Sequence, residues 1–380
     1  MDSRVPRSAP VPAFETTTRL FARALGWSPQ RLLETFRPAT ADDLPALLDF
    51  RRRRGWDDAA YLRWRYGLTT VGHPFGQLWL LRDESKVLAT IGSEVQPIRH
   101  AGHLYDGQYL MDVQLEPALE GAGGGAWLNQ AMCEQASATL AIGANGNSLG
   151  LVRRLFAPLP NRTYHVLPLD AAVLLRQRGT PVALAALAGP FVNAGWRLRE
   201  RLAKDAGMRA LAIEEATGVA PEWLEAVHAA LPPSLACVAP SAGHLDWRLF
   251  RNPRAAYRLF TAARGGRCVG YLAARHVPAE GGRLAAMHVI DWKLADEDAS
   301  ATLSALLLHA IAQARLLGCS KVFTTALDTS AALVLARLGF MSRQAEALVA
   351  GVQTPLPLPG VGGVGRWQIT DLSFDNDGCF

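Results

Sequence analysis

The sequence predicts a mixed α/β protein built as two similar halves joined by a helical linker. Three observations carry that expectation. Stretches with a period of two, such as Met111-Asp112-Val113-Gln114-Leu115-Glu116, alternate with stretches of helical period, such as Leu303, Leu306, Leu307, Ala310 and Ile311. Leu62-Arg63-Trp64-Arg65 returns as Leu245-Asp246-Trp247-Arg248, and Arg154-Leu155 returns at the same spacing as Arg337-Leu338. The order of elements around these marks is shared, which reads as an internal duplication. Finally, 380 residues with 49% apolar and 19% charged content suffice for two cores and exclude wholesale disorder.

Residues 1–34 read as a leader with short helices, 35–178 as a first domain, 179–210 as a helical linker and 211–380 as a second domain. Helical spacing runs from Thr16 to Leu25, and Ser28-Pro29 caps another short helix. Thr35–Pro38 is a first strand, and Thr40 caps a helix with apolar positions Leu44, Leu47 and Leu48. That helix ends in Arg51 to Arg54, four arginines in a row that could grip phosphate; because a helix C-terminus attracts cations, the first reading is a solvated face. Ala59–Tyr66 is a helix; Gln77–Arg82 and Val87–Ile98 are strands. The alternating strand through Met111, Val113 and Leu115 ends at Pro117, which cannot continue a ladder. Helix, strand and helix follow at Trp127–Ala138, Thr139–Gly143 and Ser148–Phe156, and Tyr164–Leu174 closes the half. After a linker helix over Val182–Ala206, the second half begins near Leu211. It has helices at Pro221–Leu231, Ala299–Leu317 and Thr329–Leu338, and strands at Tyr257–Ala262, Cys268–His276, Leu284–Trp292 and Lys321–Ala326, with Trp367–Leu372 last.

A formal net charge of +5 suits an anionic ligand and is too weak to indicate nucleic acid. The five cysteines are scattered, with neither metal-ligand spacing nor a disulfide framework, so the expected setting is the reducing cytoplasm, without a bound metal. The N-terminus has no apolar targeting segment. Pro181–Val192 is apolar but too short to span a bilayer, and Trp196, Arg197, Arg199, Arg201 and Lys204 follow it. The first reading of 181–204 is a helix packed between domains; the second is a peripheral membrane contact.

Gly121, Gly123, Gly124 and Gly125 lie between a strand and a helix beginning at Ala126. Such a junction makes an anion cradle, because backbone N–H groups and the helix dipole point at one spot that no side chain blocks. Gly121-x-Gly123-x-x-Ala126 matches the dinucleotide pattern, but Pro117–Glu120 separates the glycines from the strand. The next strand ends Gly143-Ala144-Asn145, with no acid for a ribose. A P-loop lacks its Gly-Lys-Ser/Thr. The bland alternative is a glycine-rich turn without a ligand.

Pro117-x-x-Glu120-Gly121-x-Gly123-Gly124-Gly125-x-x-Leu128 resembles the acyl-CoA signature of the GCN5-related N-acetyltransferase (GNAT) superfamily. Thr35–Thr40 with Asp42-Asp43-Leu44 resembles its first strand and helix, and Ala332–Leu338 with Gly339-Phe340 its late helix. The resemblance spans both halves and implies two tandem GNAT folds. It implies an acyl-CoA-dependent N-acyltransferase with acetyl-CoA or another acyl-CoA as co-substrate. The acyl-CoA would contact Val113, Leu115, Gly121, Ala122, Gly123, Gly124, Gly125, Ala126 and Asn147. An amine on a small molecule, sugar or peptide would attack the thioester directly.

Such chemistry needs a base for the ammonium proton and a donor for the oxyanion. Asp112 and Glu116, on one strand face by their spacing, are the candidate bases. The tyrosine that in this superfamily often protonates the thiolate has no counterpart around Asn147–Phe156, and Tyr164 is the nearest substitute. Glu120 stands where Arg or Gln is usual, and a carboxylate beside a pyrophosphate is unfavourable unless it points away. The second half has no glycine loop; Asp296-Glu297-Asp298 fills the matching place and would repel phosphate, so this half is expected not to hold acyl-CoA. His100, His103, His165, His244 and His288 show no paired spacing. Two other readings stay open: an aminoacyl-tRNA or acyl carrier protein as donor, and a non-catalytic tandem domain that binds a ligand or partner.

Overall fold

The structure is a computed structural model. It describes residues 14–56, 58–68, 75–84, 86–142, 148–159, 162–177, 179–204, 206–295, 297–344, 350–353 and 367–373. The strands of the first half are β1 (Phe36–Pro38), β2 (Gly76–Asp83), β3 (Lys86–Val95), β4 (Ile98–His100), β5 (His103–Tyr105), β6 (Gly107–Leu115), β7 (Ala138–Ile142), β8 (Ala157–Leu159) and β9 (Thr163–Pro168). Those of the second are β10 (Leu211–Ala216), β11 (Ala236–Val238), β12 (Tyr257–Arg264), β13 (Arg267–Val277), β14 (Ala286–Leu294), β15 (Lys321–Ala326), β16 (Met341–Gln344), β17 (Ala350–Gln353) and β18 (Trp367–Gln368). Chain contacts divide the molecule into two compact units. One holds residues up to Ile98, Leu104–Pro160 and Ala347–Gly362; the other holds Arg99–His103, Asn161–Glu346 and the residues from Gly363 onward.

The first unit contains a seven-stranded sheet in the order β1-β2-β3-β6-β7-β17-β8, and the second one in the order β10-β12-β13-β14-β15-β9-β16. Position by position the two orders correspond. In each sheet the sixth strand comes from the other half of the sequence. β17 pairs antiparallel with β7 and β8, and β9 pairs antiparallel with β15 and β16. The expectation that Tyr164–Leu174 closes the first half's sheet is therefore corrected. β9 forms a six-residue ladder with β15 in the second unit. The remainder turns helical because Asp170 Oδ1 accepts from the N–H groups of Ala172 and Val173, capping Ala171–Gln177.

In the first unit the helices are α1 (Phe14–Leu25), α2 (Pro29–Thr35), α3 (Leu44–Arg52), α4 (Ala59–Tyr66), α5 (Gly124–Cys133) and α6 (Leu149–Leu155). Ser28 caps α2 by accepting from Arg31 N. Asp43 fixes the start of α3. It accepts from Thr40 N and from the guanidinium groups of Arg37 and Arg82, and the Arg37 bond above all holds its carboxyl well below the usual range. α5 is anchored by Trp127, which is fully buried among the rings of Phe14, Phe21 and Phe36 and donates from Nε1 to Thr18 Oγ1 at 3.0 Å.

In the second unit the helices are α7 (Ala171–Gln177), α8 (Val182–Leu202), α9 (Ala206–Arg209), α10 (Pro221–Ala230), α11 (Ala242–Phe250), α12 (Ala299–Leu316) and α13 (Thr329–Leu338). Its core gathers Phe260, Leu272, Met287, Trp292, Leu306 and Leu335 under α12 and α13. The repeated tetrapeptide lies on α4 and α11, and its last residue, Arg65 or Arg248, is buried in each.

Candidate functional site

The parallel ladder between β6 and β7 is short. It runs Gly107 to Ala138, Gln108 to Thr139 and Tyr109 to Leu140, and goes no further. Beyond Tyr109, β6 continues to Leu115 against β3 alone. Its register shifts there: Gly92 faces Met111 and Thr90 faces Gln114, so Asp112 and Val113 together oppose Ile91. Asp112 takes a left-handed φ of 51°. A bulge of this kind bends the strand and re-aims its side chains. It leaves the β7-facing backbone groups of Met111–Leu115 without a strand partner among the described residues, a row that an extended amide-bearing chain can pair with.

The bulge is fastened by buried groups. Asp112 Oδ2 accepts from Tyr66 Oη at 2.6 Å and from Arg51 Nη1 at 3.3 Å. Burial, then the negative Asp112, pushes the Tyr66 hydroxyl well above its ordinary pKa, so it stays protonated and donates. Thr90 Oγ1 reaches the Asp112 carbonyl at 3.4 Å. Arg51 and Asp112 side chains are 2% and 4% exposed, whereas Val113 is 39% exposed. The strict alternation expected through Leu115 is thus broken at Asp112, which turns inward while Val113 turns out. Asp112 and Glu116 consequently have different surroundings.

The arginine run, expected to be a solvated face, instead reaches carboxylates along β6 and the loop after it. Arg51 holds Asp112, Arg53 Nη2 holds Glu116 Oε1 at 2.8 Å, and Arg54 Nη1 lies 3.5 Å from Glu120 Oε1. Glu116 Oε2 also lies 3.5 Å from Lys86 Nζ. The Glu120 carboxylate is turned toward Arg54 at the end of α3.

After β6 a short turn over Pro117–Leu119 leads to the glycines. Gly121 and Gly123 have φ of 82° and 83°, where a side chain is strained. Gly124 answers a packing need, because a Cβ there would lie 2.3 Å from Leu115 Cδ2 and 2.7 Å from Phe21 Cε2. Gly125 meets only ordinary contacts. Gly123 caps α5 with no side-chain bond, so the first-turn N–H groups of Gly124, Gly125 and Ala126 point out of the helix toward any anion placed there. Gln114 Oε1 is buried with no hydrogen-bond partner among the described residues.

Val113, Leu115, Gly121, Ala122, Gly123, Gly124, Gly125 and Ala126 therefore follow one another from the bulge through the loop into α5, with Asp112 and Glu116 in the same stretch. Asn147 lies outside the described residues. Tyr164 lies on β9 of the second unit, opposite Thr325 and Arg343, with its ring 5.8 Å from that of Phe323. Burial raises its hydroxyl above the ordinary value. Tyr66 and Thr90 were not foreseen as parts of the site, and Arg51 only as one of four arginines that could grip phosphate. The one sequence signal was Gly92 within a strand run, since an interior strand glycine often marks a bulge or a close approach.

The second unit repeats the short ladder but not its open edge. β14 pairs with β15 only from Ala286 to His288, and beyond that the chain's own late segment bridges the two strands. Thr370 Oγ1 donates to Asp291 Oδ1 at 2.7 Å, and Thr325 N donates to Asp371 Oδ2 at 3.1 Å. Leu327 bridges to Ile369. Asp291 also accepts from Tyr271 Oη and Lys293 Nζ, both at 2.8 Å, and Asp371 accepts from Arg162 at 2.7 Å and contacts His288 Nε2 at 2.6 Å.

No protein-family model and no curated protein matches this chain by sequence. Solved structures do match in three dimensions. A GCN5-related N-acetyltransferase from Anabaena variabilis is 12% identical with a TM-score of 0.55, covering 84% of this chain and 72% of that one. One from Kribbella flavida is 17% identical at 0.51, covering 84% and 69%. Saccharomyces cerevisiae N-myristoyltransferase, solved with bound myristoyl-CoA, is 11% identical at 0.51, covering 87% and 88%. At these identities the likeness is one of fold: the chain has the GNAT fold.

Proposed function

We propose that this protein is an acyl-CoA-dependent N-acyltransferase that binds its acyl donor in the first unit. The carrying observation is the contrast between the two β-strand forks. The β14/β15 fork is bridged by Thr370 and Asp371, whereas among the described residues the β6 edge keeps backbone groups without a strand partner and leads into a glycine-capped helix. An acyl-CoA offers what that edge lacks. Its pantetheine amides suit the Met111–Leu115 backbone, and its pyrophosphate suits the first turn of α5. Arg54 draws Glu120 away from that phosphate.

In this reading an acceptor amine attacks the thioester carbonyl carbon, forming the new C–N bond. A backbone N–H at the Asp112–Val113 bulge stabilises the oxyanion, which collapses with loss of the CoA thiolate. Asp112, bound by Arg51 and Tyr66, holds the bulge in shape; Glu116, the more exposed carboxylate, takes the ammonium proton. Acetyl-CoA is the first donor to test and a small-molecule or peptide amine the acceptor class. Calorimetric titration with acetyl-CoA should show saturable binding that Gly123→Asp abolishes; no binding of acetyl-, longer-chain or free CoA to the parent protein would remove the reading.

A further inference from the structure

Helix α8 is built inside out. It is 21 residues long, and its buried positions are Ala185, Gly189 and Glu200. This inward stripe fits closely. A Cβ on Gly189 would lie 2.7 Å from Ala172 Cβ, Asn193 Oδ1 accepts from Ala171 N at 2.9 Å, and Glu200 is paired with Arg315 at 2.6 Å. The large apolar side chains point the other way. Leu184, Leu187, Phe191, Leu198 and Leu202 are between 56% and 77% exposed. Amphipathic helices of globular units ordinarily turn such residues to the core, and a contiguous exposed row of them marks a surface that another body covers.

Charge selects the body. From Val182 to Trp196 the helix has no charged side chain, and Arg197, Arg199, Arg201 and Lys204 follow, all exposed; Arg199 donates to the Ala336 and Arg337 carbonyls of α13, which leaves Arg197, Arg201 and Lys204 to face a partner. The one acid of the helix, Glu200, is buried against Arg315. Two copies packed antiparallel through this face would set arginines against an uncharged half with no carboxylate to meet them. Packed in parallel they would oppose like charges. An anionic lipid surface complements both parts, taking the apolar row into its acyl boundary and the arginines at its headgroups. The uncharged run is about 22 Å long at 1.5 Å per residue, short of the roughly 30 Å of a bilayer core. No described helix is long and apolar enough to cross a membrane. The helix therefore lies in the interface plane.

We infer that α8 docks this protein on anionic membranes through the Leu184–Leu187–Phe191 row and the cations that follow it. The test is co-sedimentation of the full chain with vesicles of phosphatidylcholine alone and of phosphatidylcholine mixed with phosphatidylglycerol, at low and high salt. Binding is expected to the mixed vesicles and to weaken with salt. It should fall at least tenfold in Phe191→Asp and about fivefold for each of Arg197→Gln and Arg201→Gln. All three sites are exposed, so the thermal transition should hold; Leu187→Gln replaces Phe191→Asp should that transition drop. Three results overturn the inference: parent protein left in the supernatant with both vesicle types, equal binding to both, or a dimer in light scattering that Phe191→Asp converts to monomer.

Discussion

The hydroxyl of Tyr66 occupies the space that a Cβ on Gly92 would need, at a separation of 2.2 Å. The strand glycine thus makes room for the hydroxyl that holds Asp112. Gly92→Ala should lose about 1–3 kcal/mol by overpacking. It should also weaken acetyl-CoA binding, because the hydroxyl can no longer brace the bulge. Tyr66→Phe removes the bond without the clash and should bind better than Gly92→Ala. Urea unfolding and calorimetry on both variants check this order.

The glycines of the loop should separate by role. Gly124→Ala places a methyl into Leu115 and Phe21 and should lower stability by about 1–3 kcal/mol. At Gly123 a Cβ meets open space, and only the left-handed φ opposes it, at about 1 kcal/mol. Thermal melts should therefore rank Gly124→Ala as the less stable, whereas Gly123→Asp should be the variant that loses acetyl-CoA.

In the second unit, Thr370→Val leaves the buried Asp291 with one donor fewer. The expected cost is about 1–3 kcal/mol in urea unfolding. Acetyl-CoA affinity should stay at the parent value, since the donor site is assigned to the first unit.

His228 supplies a pH signature. Burial above all, with Lys293 and Arg99 adding to it and Asp291 opposing, brings its pKa down from 6.5 to about 4. The unfolded chain takes up a proton near 6.5 that the folded chain refuses until about 4. The group's contribution is therefore fully present above 6.5 and is lost as pH falls from 6.5 to 4, amounting to at most about 3 kcal/mol. His228 Nε2 has no hydrogen-bond partner among the described residues, so His228→Leu strands no bond to that atom. Between pH 7 and pH 4 this variant should lose less stability than the parent, measured by urea unfolding at each pH.

Much of the secondary structure was legible. The Ala59–Tyr66 and Thr329–Leu338 helices and the Lys321–Ala326 strand have the expected bounds, because periodicity and capping residues act locally. The bulge at Asp112 was not legible, because its cause is distant in sequence: Arg51 and Tyr66 hold the carboxylate inward against the period of two. The arginine run was misjudged for the same reason, its acids lying some sixty residues away. Of the glycine loop, position and backbone demand were readable; that Gly124 is required by Phe21 needed the packed helix. Strand partners were the least legible, since β9 carries nothing that names β15 as its neighbour.

Because β17 completes a sheet begun by β1, synthesis leaves β7 and β8 waiting for their shared neighbour. Between Leu159 and Ala350 the ribosome must add roughly 190 residues, which at about 5–20 residues per second takes some ten to forty seconds. For that interval two strand edges in the nascent first unit stay open to wrong partners. A translational pause or a truncation before residue 350 is therefore expected to release an aggregation-prone chain rather than a finished first unit.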